Sequence, residues 1–197
     1  MAVADASVWI NLAATGCADK ILNLYGGPLE ITQTALAELE RGRAKGRQAA
    51  DEVATLLHLG LMHVVDLDPQ DADLFLSLVA GDAAQTLDDG EAATLVHAHR
   101  VSTTAFIDER KATSLAAVRF PGLLVASTVD LLFEPAVRGG LGEAVLGDAL
   151  YGALIDAKMR VAAHHAPEVV ACVGRERAES CSSLPASVRR ALKAAAT

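Results

Sequence analysis

Four acidic residues that lie far apart in the chain are the side chains most able to do chemistry together. Asp5 and Asp108 each stand at or near the end of a predicted strand. Glu38 and Glu91 fall in the first turns of predicted helices. Ligands of open parallel sheets bind beyond the carboxyl ends of the strands, so the four side chains are expected to share one crevice. Gathered carboxylates repel one another unless a hard cation neutralises them, which predicts a site for Mg²⁺ or Mn²⁺.

The elements that must position these residues alternate along the chain. Strands are predicted at Val3–Val8, Leu29–Thr32, Leu61–Leu67, Thr103–Ile107 and Leu123–Ala126. Helices are predicted at Trp9–Leu24, Gln33–Arg43, Ala49–Leu59, Pro69–Ala80, Asp88–Arg100 and from Glu109 and Val129 onward. Alternating strands and helices predict a parallel sheet that is covered on both faces, which is a three-layer α/β/α fold.

The last quarter of the chain differs in composition. Residues 1–140 are predicted to form the α/β domain and residues 141–197 a helical extension and tail. The segment after Gly140 is Ala-rich and predicted to be helical to about His165, and the remainder is predicted to be less regular. The neighbouring His164 and His165 are expected at the surface.

Length and composition limit the classes of protein to which the chain can belong. With 197 residues and 52% hydrophobic content, the chain can bury one core, and its apolar runs are too short to cross a bilayer. The net charge of −8 argues against nucleic-acid binding through a globally positive surface, although a metal site itself adds negative charge. Three cysteines without a CxxC pair, and a start without a basic and apolar leader, favour a cytoplasmic protein without a membrane partner.

Four short motifs resemble those of the PIN-domain family, in the same order. They are Val3–Leu12 (VADASVWINL), Thr34–Gly42 (TALAELERG), Leu87–Ala92 (LDDGEA) and Phe106–Lys111 (FIDERK). Each motif alone is weakly specific, but all four in order, each on the expected element, are more specific. The resemblance extends over roughly residues 1–135, which is most of the chain.

The resemblance implies an activity and a set of roles. PIN domains such as the VapC-type toxins of toxin–antitoxin pairs cleave RNA with Mg²⁺ or Mn²⁺ and leave a 5′-phosphate and a 3′-hydroxyl. By this resemblance Asp5, Glu91 and Asp108 hold the metal, and Glu38 is a direct or water-mediated ligand. Ser7 supports Asp5 by hydrogen bonding. The implied partners are an RNA substrate and an antitoxin protein. The arm from about Gly142 exceeds what the core fold needs and is hypothesised to serve dimerisation, giving a homodimer, or contact with a partner.

Helix capping offers an alternative role for several of these acidic residues. Asp88 followed by Glu91 is also the pattern of a helix N-cap with a reciprocal acidic partner, and capping does not exclude metal binding. Asp108 precedes a predicted helix and could cap it. Asp89 and Glu109 are candidate supporting residues beside these positions.

The second motif leaves its acidic residue open. Glu38 and Glu40 both stand in it, and alignment by the trailing Gly42 selects Glu38. The other glutamate is then an exposed helix residue.

Basic residues near the motifs could contact a phosphate backbone. Arg110 and Lys111 adjoin Asp108 and are the best placed. A second basic run comprises Arg41, Arg43, Lys45 and Arg47. Such runs are more often a solvated face than a binding path.

Two other classes of protein remain alternatives to a nuclease. A receiver-like phosphoacceptor domain would need an acidic pair after the first strand, where this chain has Asp5 alone. A catalytically inactive PIN-like scaffold would have the same fold without the activity.

Overall fold

A computed structural model describes residues 1–43, 49–83 and 85–194. The strands are β1 (Ala2–Ala4), β2 (Leu29–Thr32), β3 (Met62–Val65), β4 (Thr104–Phe106) and β5 (Val125–Ala126). The helices of the first two thirds are α1 (Ala6–Ala14), α2 (Ala18–Tyr25), α3 (Gln33–Arg43), α4 (Ala49–His58), α5 (Ala72–Val79), α6 (Asp89–Val101) and α7 (Arg110–Arg119). The later helices are α8 (Thr128–Phe133), α9 (Pro135–Leu141), α10 (Glu143–Ile155), α11 (Ala166–Val173), α12 (Arg175–Ser180) and α13 (Ala186–Ala194).

The chain packs as two units. The first unit comprises Met1–Ile10 and Gly26–Ser127, and the second comprises Asn11–Tyr25 and Thr128–Thr197. These units reflect packing density and do not test the predicted division into residues 1–140 and 141–197, which stays a prediction. In the part of the chain that the structure describes, no helix combines the length and the apolar character needed to cross a membrane.

All five strands of the first unit are parallel and follow the order β3-β2-β1-β4-β5. The chain moves outward in one direction from β1 to β3 and in the other direction from β4 to β5. Crossovers between parallel strands are normally right-handed, and helices flank the sheet. The predicted three-layer α/β/α fold is confirmed.

The central strands β1 and β4 are short and largely buried. Val3 of β1 and Ala105 of β4 are fully buried, and they pack with Leu95 and Val96 of α6 in one core cluster. Near-continuous apolar runs are expected for strands that have helices on both faces. The core therefore lies between the centre of the sheet and α6.

The first strand is shorter than predicted because Asp5 begins a helix. The Asp5 side chain accepts hydrogen bonds from both the backbone amide and the hydroxyl of Ser7, an arrangement in which a short polar side chain starts a helix. Val8 therefore lies in α1, and the second half of the predicted strand Val3–Val8 is wrong. The predicted helix Trp9–Leu24 is two helices, separated near Gly16, whose φ of +69° a glycine adopts without strain.

The second unit is more regular than the sequence indicates. The predicted helix after Gly140 ends at Ile155, and helices α11, α12 and α13 occupy the segment predicted to be less regular. Helices α10 and α11 pack closely at Gly147, where an added Cβ would lie 2.6 Å from the backbone oxygen of Cys172. Small residues such as Gly147 allow this approach, and the periodicity of a single helix does not reveal it.

Candidate active site

The candidate site lies where the strand order reverses. Strands β1 and β4 are neighbours, with Ala4 opposite Phe106, and the chain leaves them toward opposite edges of the sheet. Ligands of such sheets bind in the crevice beyond this point. Asp5 follows β1 directly and its backbone amide donates to Phe106 O at 3.0 Å, while Asp108 stands two residues past the end of β4. The two predicted metal ligands are thus both at the carboxyl ends of neighbouring strands.

Asp5 is a buried carboxylate with one oxygen satisfied. Asp5 is only 4% exposed. Ser7 Oγ donates a hydrogen bond to Asp5 Oδ2 at 2.9 Å. No donor within the described residues reaches Oδ1, which is also buried. Burial raises the pKa of Asp5 above its usual range, against the lowering effect of the Ser7 hydrogen bonds. An unsatisfied buried carboxylate oxygen is costly, and a cation is one group that could satisfy it.

Glu38 reaches the same region from α3. Its Oε1 accepts a hydrogen bond of 3.0 Å from the backbone amide of Gly90, in the first turn of α6. Burial, then the charges of Asp88 and Asp5, raise the pKa of Glu38 to about 7. Glu40, two residues on, is exposed. The structure therefore brings Glu38, and not Glu40, to the other carboxylates.

Glu91 belongs to a reciprocal cap of α6. Asp88 Oδ1 accepts from the Glu91 amide at 2.9 Å, and Glu91 Oε2 accepts from the Asp88 amide at 3.4 Å. Burial, followed by the charges of Asp88 and Asp5, raises the pKa of Glu91 to about 8. The capping role that the sequence left open is present. Because the second hydrogen bond is long, it holds the carboxylate weakly, and capping remains compatible with metal binding.

The sequence did not indicate that the charge of Asp88 acts on the other acidic residues of the site. Its side chain is exposed, yet it raises the pKa values of Asp5, Glu38 and Glu91. The motif shows that Asp88 is suited to cap α6, but its effect on Glu38 depends on a contact between helices that lie far apart in sequence. The repulsion among these groups is the electrostatic signature of a cation site.

The remaining acidic candidates lie at the rim. Asp108 is half-buried after β4, and Asp89 and Glu109 are exposed at the starts of α6 and α7. The charge of Glu109 contributes to the raised pKa of Glu91, so these two carboxylates face a common region. Nothing comparable connects Asp89 to the other groups, and its supporting role stays a prediction.

The basic residues after Asp108 are near this rim. Arg110 is exposed at the first position of α7. Lys111 donates from Nζ to the backbone oxygen of Ala83. Lys111 therefore has an intramolecular partner that RNA would have to replace, whereas the guanidinium of Arg110 faces solvent.

The second basic run is described only in part. Arg41 is 68% exposed and its guanidinium is 3.9 Å from Glu38 Oε1, which places one positive charge next to the carboxylates. The side chain of Arg43 lies outside the described part of the structure, as do Lys45 and Arg47 as whole residues. Their predicted contribution to an RNA path stays a prediction.

The donor types fit a hard divalent cation, although among the described residues no three of these side chains bring ligand atoms within 4.8 Å of one another. The donors are carboxylate oxygens from β1, α3, α6 and the end of β4, and the Asp5 oxygen without a donor is among them. Burial, and after it the charges of Asp88 and Asp5, raise the pKa values of Glu38 and Glu91, so their ionised forms need a compensating positive charge. Oxygen-only donors of this kind suit Mg²⁺ or Mn²⁺.

Comparison with known proteins indicates the family of this chain. A search of curated proteins and a search of solved structures found no match. A family model described as a PIN domain matches residues 1–175, which is most of the chain. PIN domains are in general nucleases that use divalent metals. The motifs, the strand order and this match agree, and the chain belongs to the PIN-domain family.

Proposed function

We propose that this protein is a metal-dependent endoribonuclease that hydrolyses RNA phosphodiester bonds. The observation that carries the proposal is the buried Asp5 oxygen without a donor among the described residues, in a side chain whose charge helps to raise the pKa values of Glu38 and Glu91. A scaffold without metal chemistry would gain nothing from this arrangement, because it destabilises the fold when the carboxylates ionise.

The acidic residues would have different roles in binding the metal. Asp5, Glu91 and Asp108 would hold Mg²⁺ or Mn²⁺, and Glu38 would be a direct or water-mediated ligand. Such an ion, when bound, lowers the pKa of a water to make a nucleophile and offsets charge that develops on the phosphate. Ser7 fixes the orientation of the Asp5 carboxylate through two hydrogen bonds to Oδ2, and Oδ1 has no donor among the described residues.

Positive side chains would hold the RNA beside the acidic crevice. Arg110 has the exposure and the position to contact a phosphate next to Asp108, Lys111 follows it in the chain, and Arg41 lies beside Glu38. Arg43 completes the proposed set. The overall charge of −8 means that these local cations, and not the general field of the protein, must supply phosphate binding.

Replacing Asp5 tests the proposal. The Asp5→Asn variant keeps the size of the side chain and an acceptor for Ser7, and it should abolish RNA cleavage in Mg²⁺ or Mn²⁺ while retaining the far-UV circular dichroism spectrum. Asp73→Asn, which changes an exposed Asp in α5 of the same unit, should cleave as well as the wild type. Full activity of the Asp5 variant would overturn the proposal. A wild type that neither binds Mn²⁺ nor cleaves RNA would instead support the inactive scaffold.

We further propose that the enzyme acts as the toxin of a toxin–antitoxin pair, with an antitoxin protein that covers the acidic crevice. The support is the resemblance of the four motifs to VapC-type toxins. Induced expression should arrest growth of a bacterial host, and expression of the Asp5→Asn variant should not. Co-expression of a small protein encoded beside this gene should restore growth. The proposed homodimer is tested separately by light scattering of the full chain, which gives its mass in solution.

A further inference from the structure

We propose that the second unit contains a separate metal site, formed by Asp130, His164 and His165, which binds Zn²⁺ or a similar transition metal. One ligand atom from each of the three residues lies within 4.8 Å of the others. All three residues belong to the second unit, whereas the carboxylates of the candidate active site belong to the first. The sequence analysis expected both histidines at the surface, but the side chain of His165 is only 14% exposed.

The position of His165 is suited to metal binding. Its Nε2 atom is buried and lies 2.8 Å from Asp130 Oδ1, yet it is without a hydrogen bond. No other described residue pairs with this nitrogen. A buried imidazole nitrogen and a carboxylate oxygen that are close without a hydrogen bond could both turn their lone pairs to one metal ion.

A second His–carboxylate pair in the same protein shows the contrast. His97 Nε2 and Glu30 Oε2 are 2.9 Å apart and do form a hydrogen bond. The distance is almost the same as that of His165 and Asp130, so proximity alone does not explain the difference. The His97 pair satisfies both partners, whereas the buried nitrogen of His165 remains without a hydrogen bond.

Local structure holds the three ligands in place. Asp130 lies in the first turn of α8, and His165 immediately precedes α11, where its backbone amide donates to Ala162 O at 3.1 Å. The ring of Phe133 packs edge-on against His165 at 6.0 Å between centroids. This contact restricts rotation of the His165 ring, and support of this kind orients metal-binding histidines.

The donor set selects a different metal from the active site. Two imidazole nitrogens and one carboxylate oxygen suit Zn²⁺ and neighbouring transition metals, whereas Mg²⁺ prefers oxygen ligands alone. His164 is exposed, so the ion would have three protein ligands and a position open to solvent. Its expected effect is to join α8 to the start of α11 and thereby stabilise the second unit.

Metal titration of the full chain tests the proposal. Protein freed of metals by chelation and transferred to buffer with millimolar Mg²⁺ is titrated with Zn²⁺ by calorimetry, and with Co²⁺ by visible absorption, which reports nitrogen ligands. The His164→Ala change removes an exposed side chain and should leave the fold intact. It should weaken Zn²⁺ binding by more than about 100-fold, the upper end of the loss caused by an outer-shell partner. His165→Gln should do the same.

Control variants separate this site from other histidines and from the active site. His63→Ala removes an exposed histidine from β3 and should bind Zn²⁺ as the wild type does. Asp5→Asn should also retain this Zn²⁺ equivalent, because Asp5 lies in the other unit. Zn²⁺ should raise the melting temperature of the wild type but not that of the His164 variant. Equal Zn²⁺ affinity of the His164, His165 and His63 variants would overturn the proposal, as would a wild type that binds no Zn²⁺.

Discussion

Glu38 meets α6 through the space that Gly90 leaves without a side chain. The Gly90 amide donates to Glu38 Oε1 at 3.0 Å, and a Cβ added to Gly90 would lie 2.5 Å from Glu38 Oε2. Glycine at this position is therefore what allows the carboxylate to approach the first turn of the helix. The contact connects the second and third motifs of the sequence, and it brings Glu38 to Glu91.

The Gly90→Ala change should separate the position of Glu38 from the stability of the fold. The new methyl group collides with the flexible end of Glu38, which can swing away, so the free energy of unfolding should change by less than about 1 kcal/mol. Metal affinity and RNA cleavage should fall by about 10- to 100-fold, as when a supporting contact is lost. Calorimetric Mn²⁺ titration and cleavage assays measure both effects.

A helical glycine with open space provides the control for Gly90. No atom lies within 4 Å of the Cβ that Gly139→Ala would add in α9. That variant should retain wild-type metal affinity. Wild-type affinity and cleavage in the Gly90→Ala variant would mean that the approach of Glu38 to α6 does not matter for the site.

Gly147 makes an equivalent approach, but against backbone. An alanine there would place its Cβ 2.6 Å from the backbone oxygen of Cys172, and backbone cannot swing away as the end of a side chain does. Gly147→Ala should therefore destabilise the protein by about 1–3 kcal/mol, whereas Gly139→Ala should cost nothing or stabilise it slightly. Urea unfolding measures the difference. Equal midpoints for the two variants would show that α10 and α11 can separate without cost.

Local signals allowed much of the fold to be predicted. Strand β2 and helix α3 have the predicted bounds, since Thr32 ends the strand and its hydroxyl accepts from the Ala35 amide to cap the helix. The error at Val3–Val8 has the same origin, because the capping side chain of Asp5 starts a helix in a segment whose composition favours a strand. Capping by Thr32 therefore agrees with the composition around it, whereas capping by Asp5 overrides it.

The site was predictable where it depends on strand ends and not where it depends on contacts between helices. Asp5 and Asp108 follow neighbouring strands. The alternation of strands and helices is enough to bring both residues to the carboxyl ends of the parallel sheet. The approach of Glu38 to Gly90 joins residues that are 52 positions apart, and no local pattern encodes it. The pairing of Asp130 with His165 is hidden for the same reason, since adjacent histidines alone do not indicate a buried nitrogen.

Asp88 should act on the site by charge and on α6 by capping, and two substitutions separate these effects. Asp88→Asn retains the cap oxygen that accepts from the Glu91 amide, so stability should change little, but the pKa values of Glu38 and Glu91 should fall. Asp88→Ala also removes the cap and should cost about 1 kcal/mol. NMR titration of the glutamate carboxyl groups in metal-free protein follows the pKa values, and urea unfolding follows stability. Unchanged titration in the Asn variant would mean that the charge of Asp88 does not reach these groups.

Glu91 should make the stability of the metal-free protein depend on pH. The pKa of Glu91 is raised from an ordinary 4.5 to about 8, so the folded state holds the proton more tightly than the unfolded state. Its contribution to stability is full below the ordinary pKa and is lost as the pH rises through about 8. Glu91→Gln is neutral at every pH and retains the capping acceptor, because Gln also serves in this type of cap. The wild type should therefore lose stability relative to this variant between about pH 5 and pH 9.

Metal should reverse that dependence. A ligand carboxylate must be deprotonated to bind, so Mn²⁺ should raise the melting temperature of the wild type more at about pH 9 than at about pH 6. The Glu91→Gln variant should gain less from Mn²⁺ at both pH values, because one ionised ligand is gone. Thermal denaturation with and without Mn²⁺, for both proteins at both pH values, gives the complete comparison. An equal Mn²⁺ effect in the two proteins would show that Glu91 caps α6 without binding metal, and the ligand set would then have to be drawn from Asp5, Glu38 and Asp108.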